Sequence, residues 1–182
     1  MKSNEGGHTV NYRQSPLAAG DTGPAFALKT PYGVELPLTS CLMSGSVLVE
    51  FLRGTWDPDT RARLKALAEI HALLKERGCS TVGIICEAPG TASHYLNDAP
   101  VPFPVLVDED RRIARAYGVW RRWSFPFRNI AQPSSFVLDR CGYIHYAYVA
   151  RLSVHSADLD EIQSVVRRLS DQEPKQQTTP IG

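Results

Sequence analysis

Two apolar runs with an amphipathic segment between them constrain the fold of this chain most strongly. The runs cover residues 46–51 and 81–86, and both are almost continuously apolar. Such runs are typical of strands that are covered on both faces. The segment 58–77 carries leucines along one side and is followed by Gly78, which predicts a helix and its end. Together they predict a strand–helix–strand unit with parallel strands.

Shorter elements flank this unit. Residues 26–28 and 34–36 surround Tyr32-Gly33 and predict a short hairpin. The later pattern predicts short helices over 91–97 and 111–117, strands over 103–107, 134–138 and 143–149, and a last amphipathic helix over 158–169. Residues 1–19 and 171–182 are polar and aperiodic. We therefore expect flexible tails around one α/β domain at 20–170.

The connection between the first core strand and the helix carries the most specific signal. Residues 53–61 read Arg-Gly-Thr-Trp-Asp-Pro-Asp-Thr-Arg. This stretch resembles the motif Arg-Gly-x-Trp-Cys-Pro-x-Cys-Arg of redoxins in the alkyl hydroperoxide reductase / thiol-specific antioxidant family. Asp57 stands where that family has its reactive cysteine, and Thr60 stands where it has the second one. Trp56 and Pro58 keep the surrounding frame of the motif.

Other fragments support the resemblance by their order and spacing, notably 47–51, 103–108, 117–119 and 136–139 followed by Gly142. The resemblance extends over most of the chain. It implies a thioredoxin-like fold, with a central mixed β-sheet flanked by helices and an N-terminal β-hairpin. It also implies that Pro133 is the cis-proline that faces the active turn in such folds.

Replacement of the cysteine changes the chemistry that the turn can carry. A cysteine at a helix N-terminus is favoured as a thiolate, which attacks a peroxide and is later regenerated by a second thiol. A carboxylate forms no such reducible intermediate. Two interpretations of Asp57 stay open: a helix N-cap that keeps a negative charge, or a ligand-binding or acid–base group. In addition, Glu50 and Gly54 stand where peroxiredoxins proper have a proline and a threonine.

Cys86 is the alternative thiol. It ends the second core strand, so it belongs to the same sheet edge as Asp57, whereas Cys41 and Cys79 precede core strands and belong to the opposite edge. Cys141 lies in a predicted hairpin turn. Either Cys86 is a reactive group or it is a small buried hydrophobe, and the second interpretation is favoured because inert buried cysteines are common.

Residues 111–128 contain six arginines and no acid, interleaved in the second half with aromatics. One interpretation is that Arg121, Arg122 or Arg128 pairs with Asp57 or binds an anionic ligand. A second is stacking on bases or on a partner surface. The favoured one is that the aromatics pack in the core and the arginines between them are solvated.

These observations predict a redoxin domain that lacks the family's peroxidatic cysteine and acts by binding or regulation in a redox setting. The alternative is an active thiol-dependent antioxidant oxidoreductase that uses Cys86, so whether the chain is an enzyme stays open. A redox partner protein, a small anionic ligand and a homodimer are the partners considered. The formal charge of +1 gives no case for nucleic acid, and no cofactor or metal is expected. Without a signal peptide or a membrane-length apolar run, the expected location is cytoplasmic.

Overall fold

The predicted strand–helix–strand unit forms the centre of the protein, and the other elements extend it on both sides. A computed structural model describes residues 15–124, 127–150 and 156–172. The strands in these residues are β1 (Ala27–Lys29), β2 (Glu35–Pro37), β3 (Ser46–Leu52), β4 (Cys79–Ile85), β5 (Val105–Val107), β6 (Trp120–Ser124), β7 (Phe127–Ala131), β8 (Ser134–Leu138) and β9 (Ile144–Val149). The helices are α1 (Leu38–Ser44), α2 (Pro58–Glu76), α3 (Pro89–Asp98), α4 (Arg112–Ala116) and α5 (Leu159–Gln172).

Seven of the described strands form one mixed sheet in the order β2-β1-β5-β4-β3-β8-β9. The three central strands β3, β4 and β5 are parallel, whereas β8 pairs antiparallel with β3 and β9 with β8. The register matches Leu52 with Ile85 at the ends of β3 and β4. The carboxyl ends of the parallel strands therefore meet at one edge. This architecture confirms the predicted α/β class with its N-terminal hairpin.

Each face of the sheet carries its own hydrophobic cluster. Along β3, Val47, Val49 and Phe51 pack in the cluster that includes residues of α1 and α4. Leu48 and Leu52 pack in the other cluster, with residues of α2, α3 and α5. Since successive side chains of a strand point to opposite faces, the continuous apolar run of β3 reflects burial on both sides. We call the two sides the α1 face and the α2 face.

Two elements depart from the sequence prediction. Helix α1 was not predicted, because seven residues are too few for a clear helical period. The second half of the arginine-rich segment, for which no strand was predicted, contributes to the antiparallel strand pair β6–β7, which lies outside the main sheet. Adjacent Arg121 and Arg122 interrupt the alternation by which a strand is normally recognised.

The N-terminal boundary also differs from the predicted tail. Leu17, which the pattern assigns to the tail, is 3% exposed and packs in the cluster on the α1 face. Its backbone N–H donates to the carbonyl of Tyr117 at 3.1 Å. Gly118 follows with φ +71°, and a Cβ atom there would collide with the carbonyl of Ser15. This close approach requires glycine in the turn.

We expect Gly118→Ala to destabilise the fold more than Gly78→Ala. Both glycines have φ +71°, but a Cβ atom at Gly78 meets nothing within 4 Å. The left-handed backbone costs an alanine about 1–2 kcal/mol at either position. The collision at Gly118 adds about 1–3 kcal/mol. Urea denaturation of both variants measures the difference, and equal losses would show that residues 15–17 do not pack as described.

Candidate functional site

Asp57 caps helix α2 at the edge where the parallel strands end. Its backbone is extended, Pro58 is the first helical residue, and the carboxylate faces the first turn. Oδ2 accepts hydrogen bonds from the backbone N–H of Thr60 at 3.2 Å and from its hydroxyl at 3.0 Å. Asp57 and Thr60 therefore contact each other as cap and capped residue.

A buried arginine neutralises this carboxylate. Nη1 of Arg53 lies 3.1 Å from Oδ1 of Asp57, and the two residues are only 2% and 3% exposed. Nη2 of the same guanidinium lies 4.0 Å from the carboxylate of Asp59, which is more exposed. The spacing of four residues between Arg53 and Asp57 across the turn was visible in the sequence but was not used as a pairing signal.

The basic segment does not supply that partner in the described residues. Arg121 donates to the carbonyls of Gly118 and Trp120, and Arg122 is exposed. The side chain of Arg128 lies outside the described part of the structure. Pairing of Asp57 with Arg121 or Arg122 was therefore wrong. Arg53, which precedes Asp57 by four residues, is the arginine that pairs with this carboxylate.

Glu87 supports the turn from the neighbouring strand and was missed by sequence reasoning. It follows β4, is 8% exposed, and accepts the backbone N–H of Thr55 with both carboxylate oxygens at 3.0 and 3.1 Å. A Cβ atom on Gly54 would lie 2.8 Å from Oε2 of Glu87 and would also collide with the ring of Trp56. An acidic residue directly after an apolar strand was the available signal.

A cavity of about 350 Å³ opens beside the capped turn on the α2 face. Asp57, Asp59 and Thr60 line it from the start of α2, and Pro133 and Ser134 line it from β8 and its approach. Its remaining wall is formed by residues of β3, α2, β8 and the start of α5, namely Glu50, Leu52, Ala62, Arg63, Ala66, Ser135, Ser156, Ala157 and Leu159. We call this space the Asp57 cavity. Pro133 thus lines the same cavity as Asp57, while its cis geometry stays a prediction.

A second buried ion pair forms the floor of the Asp57 cavity. Nε of Arg63 lies 2.6 Å from Oε1 of Glu50, and the hydroxyl of Ser135 donates to Oε2 at 2.6 Å. Nη1 of Arg63 donates to the carbonyl of Ala157 at 2.8 Å. This network joins β3, α2, β8 and the residues before α5. The sequence marked Glu50 only as a departure from peroxiredoxins, because its partners lie far away along the chain.

Cys86 lies at the predicted edge but on the other face of the sheet. It packs with Val82 and Ile84 in the cluster of the α1 face, as the alternation along β4 requires. Its Sγ is 4.0 Å from Oδ2 of Asp108. Burial, followed by the charge of Asp108, raises the pKa of the Cys86 thiol to about 12. It is not among the residues that line the Asp57 cavity.

The other cysteines are separate from the site. Cys41 and Cys79 are buried, and burial raises the pKa of both thiols, that of Cys79 to about 11. Cys141 is exposed in the turn before β9. In the part of the chain that the structure describes, no three His, Cys, Asp or Glu side chains are grouped to hold a metal ion. Among the same residues, no helix combines the length and apolar character needed to cross a bilayer.

Comparison with known proteins establishes the family. The family model described as "AhpC/TSA family" matches residues 19–147, which is well over half of the 182 residues. The chain belongs to the AhpC/TSA family. It is 29% identical over 136 residues to Peroxiredoxin Bcp of Escherichia coli, with 74% of this chain and 86% of that protein covered. It is also 26% identical over 129 residues to the chloroplastic Peroxiredoxin Q of Populus jackii, with 71% and 59% covered.

A solved structure agrees on the fold. The peroxidoxin BcpB of Mycobacterium tuberculosis superposes with a TM-score of 0.75 at 20% identity, with 84% of this chain and 98% of that chain covered. The chain is therefore a peroxiredoxin-like redoxin domain of the thioredoxin superfamily. That the turn with Asp57 and Thr60 corresponds to the family's cysteine motif stays a prediction from the sequence.

We expect Asp57→Ala to be less stable than Asp57→Asn by about 1 kcal/mol, because asparagine still caps the helix. Both variants leave the buried Arg53 guanidinium without the carboxylate at 3.1 Å, which costs about 3–5 kcal/mol. Chemical denaturation of the three proteins separates the two contributions. Equal stability of the two variants would contradict the capping role.

A double-mutant cycle tests the floor of the cavity. Removal of either partner in Glu50→Met or Arg63→Met leaves a buried charge, and we expect each to lose about 3–5 kcal/mol. The double variant should recover much of this loss, because two apolar side chains replace the pair. Additive losses in urea denaturation would show that the 2.6 Å contact carries no coupling.

Proposed function

We propose that this protein is a redoxin domain in which binding at the Asp57 cavity has replaced the family's thiol chemistry. The observation that carries the proposal is the state of Asp57, whose carboxylate caps α2, pairs with Arg53 and lines the cavity. The resemblance to the redoxin motif predicts a reactive cysteine at this position. The side chain is thus held as a fixed charge beside a space of about 350 Å³. Sites for small molecules are roughly 300–1,000 Å³ in volume, so this space is large enough for a small ligand.

The chemistry of the replacement supports loss of peroxidase and disulfide-reductase activity. A thiolate gives electrons to a peroxide and passes through a sulfenic acid that another thiol reduces. The oxygens of Asp57 offer no such redox cycle, and Thr60 supplies no second sulfur. The hydroxyl of Thr60 instead donates to Oδ2 of Asp57 at 3.0 Å. What the turn retains is a stable helix start with a negative charge.

The position of Cys86 supports the same proposal. A reactive cysteine needs access to substrate and a stabilised thiolate. Cys86 is 6% exposed, faces away from the Asp57 cavity and has its pKa raised by burial and by the charge of Asp108. All three properties weigh against a peroxidatic role. A cytoplasmic setting, a redox partner protein and a homodimer stay predictions from the sequence.

We expect the purified protein to consume hydrogen peroxide no faster than buffer in stopped-flow measurements with thiol reductants present. Under limited peroxide, mass spectrometry should find oxidation at the exposed Cys141 before the buried Cys86. Cys86→Ser should leave peroxide consumption unchanged, with Cys141→Ser as the matched control. Catalytic turnover that is lost only in Cys86→Ser would overturn the proposal in favour of a thiol-dependent antioxidant enzyme.

A further inference from the structure

We propose that the Asp57 cavity takes a small organic cation, a protonated primary amine carried on an apolar body. The inference rests on the proposed function, since it assumes that the cavity is a binding site, and it names the class of ligand. It differs from the small anionic ligand that the sequence suggested. The hydrogen-bond donors and acceptors that the wall still offers decide which class of ligand the cavity can recognise.

The ionisable side chains of the wall favour a cation. Among the described residues, three carboxylates line the cavity, those of Glu50, Asp57 and Asp59, together with the guanidinium of Arg63. Arg53 pairs with Asp57 and is not among the lining residues. In this part of the structure two guanidiniums therefore face three carboxylates, which leaves one negative charge in excess. Within a partly desolvated cavity, such an excess of negative charge repels an anion and attracts a cation.

The guanidinium of Arg63 is already engaged by acceptors of the protein. Its Nε contacts Glu50 at 2.6 Å, and its Nη1 donates to the carbonyl of Ala157 at 2.8 Å. Its Nη2 donates to Ser135 Oγ at 3.3 Å and to Oε2 of Glu50 at 3.4 Å. Every nitrogen is directed at a protein acceptor. An anion at this guanidinium would compete with Glu50, Ser135 and the carbonyl of Ala157 for its donors.

Three hydroxyl groups of the wall already donate their protons in hydrogen bonds to the protein. Thr60 donates to Asp57, Ser135 donates to Glu50, and Ser134 donates to the carbonyl of Gln132 at 2.8 Å. A hydroxyl has one proton and two lone pairs, so these oxygens can only accept from a ligand. Ser156 is the remaining hydroxyl among the described residues of the wall and is exposed. The interior of the wall therefore complements a ligand that is rich in donors.

At the start of helix α2 the position of an anion is occupied by the carboxylate of Asp57. A helix N-terminus attracts negative charge, but here Asp57 supplies that charge and accepts the N–H of Thr60. The next N–H, that of Arg61, donates to the backbone carbonyl of Asp57. A carboxylate offers about four acceptor positions. The contacts described above occupy three at Asp57, which leaves acceptor capacity for an ammonium group.

The rest of the wall requires an apolar body on the ligand. Leu52, Ala62, Ala66, Ala157 and Leu159 also line the space. A hydrated metal ion would leave this surface uncovered, and the described residues hold no three-ligand metal group. An ammonium ion attached to one ring or a short chain satisfies both parts. Its charge meets Asp57 and Asp59, and its carbon skeleton contacts the alanines and leucines.

A matched series of three ligands tests the inference. Benzylamine, benzyl alcohol and benzoate share one ring and differ in charge. Titrated into the ¹⁵N-labelled full chain, benzylamine should bind about tenfold more tightly than benzyl alcohol, since a charged hydrogen bond contributes more than a neutral one. Its chemical-shift changes should centre on Thr60, Ala66 and Ser135. Benzoate should show no saturable shift at these residues.

Variants of the wall separate charge from shape. Asp59→Asn should weaken the binding of benzylamine several-fold without affecting the binding of benzyl alcohol. Glu69 is an exposed acid on the same helix, and Glu69→Gln should change the affinity for neither ligand. Ala66→Leu should block the binding of both ligands by filling the space. If Ala66→Leu does not fold, Ala62→Leu provides the same test. Binding of benzoate or benzyl alcohol as tightly as benzylamine would overturn the inference, as would the absence of any benzylamine shift in the cavity.

These outcomes are distinct from a failure of the proposed function. Preference for benzoate would remove the cation class and leave binding at the Asp57 cavity in place. Peroxide turnover through Cys86 would remove the proposed function, whatever the ligand titrations show. The two measurements therefore report on separate claims.

Discussion

The ion pair between Asp57 and Arg53 is the interaction on which the rest of the site depends. It joins the end of β3 to the first turn of α2, and both side chains are almost completely buried. A buried carboxylate is costly unless it is paired and hydrogen-bonded. Arg53 and Thr60 meet that requirement from opposite sides. The turn can therefore hold a buried carboxylate at the start of α2.

A second buried ion pair influences which hydrogen-bonding groups line the adjacent cavity. Glu50 and Arg63 hold β3 and α2 together, and Ser135 and the carbonyl of Ala157 complete their hydrogen bonds. Because these donors already point at protein acceptors, the interior of the wall presents mainly oxygen lone pairs. Membership of the AhpC/TSA family accounts for the scaffold. The chemistry of the site follows from the particular residues that line it.

The sequence predicted most of the main sheet because its strands are buried or alternate clearly. Strand β8 has the predicted bounds, and the predicted helix at 58–77 corresponds to α2. Prediction failed where the local signal was weak. Seven residues were too few to reveal α1, and adjacent arginines concealed β6. Leu17 was assigned to a tail, because its burial depends on a contact with Tyr117, a hundred residues later.

By itself the sequence determined that Asp57 begins a helix after a buried strand, because aspartate and the following proline are favoured at that point. It also placed Cys86 at the same sheet edge. Only the tertiary structure decided that Arg53 pairs with Asp57, that Arg63 pairs with Glu50, and that the thiol of Cys86 faces the other side. Strand alternation places Cys86 with Val82 and Ile84, but the packing of the helices decides which face those side chains meet. Partners and faces depend on contacts between residues far apart along the chain, and local propensity does not record them.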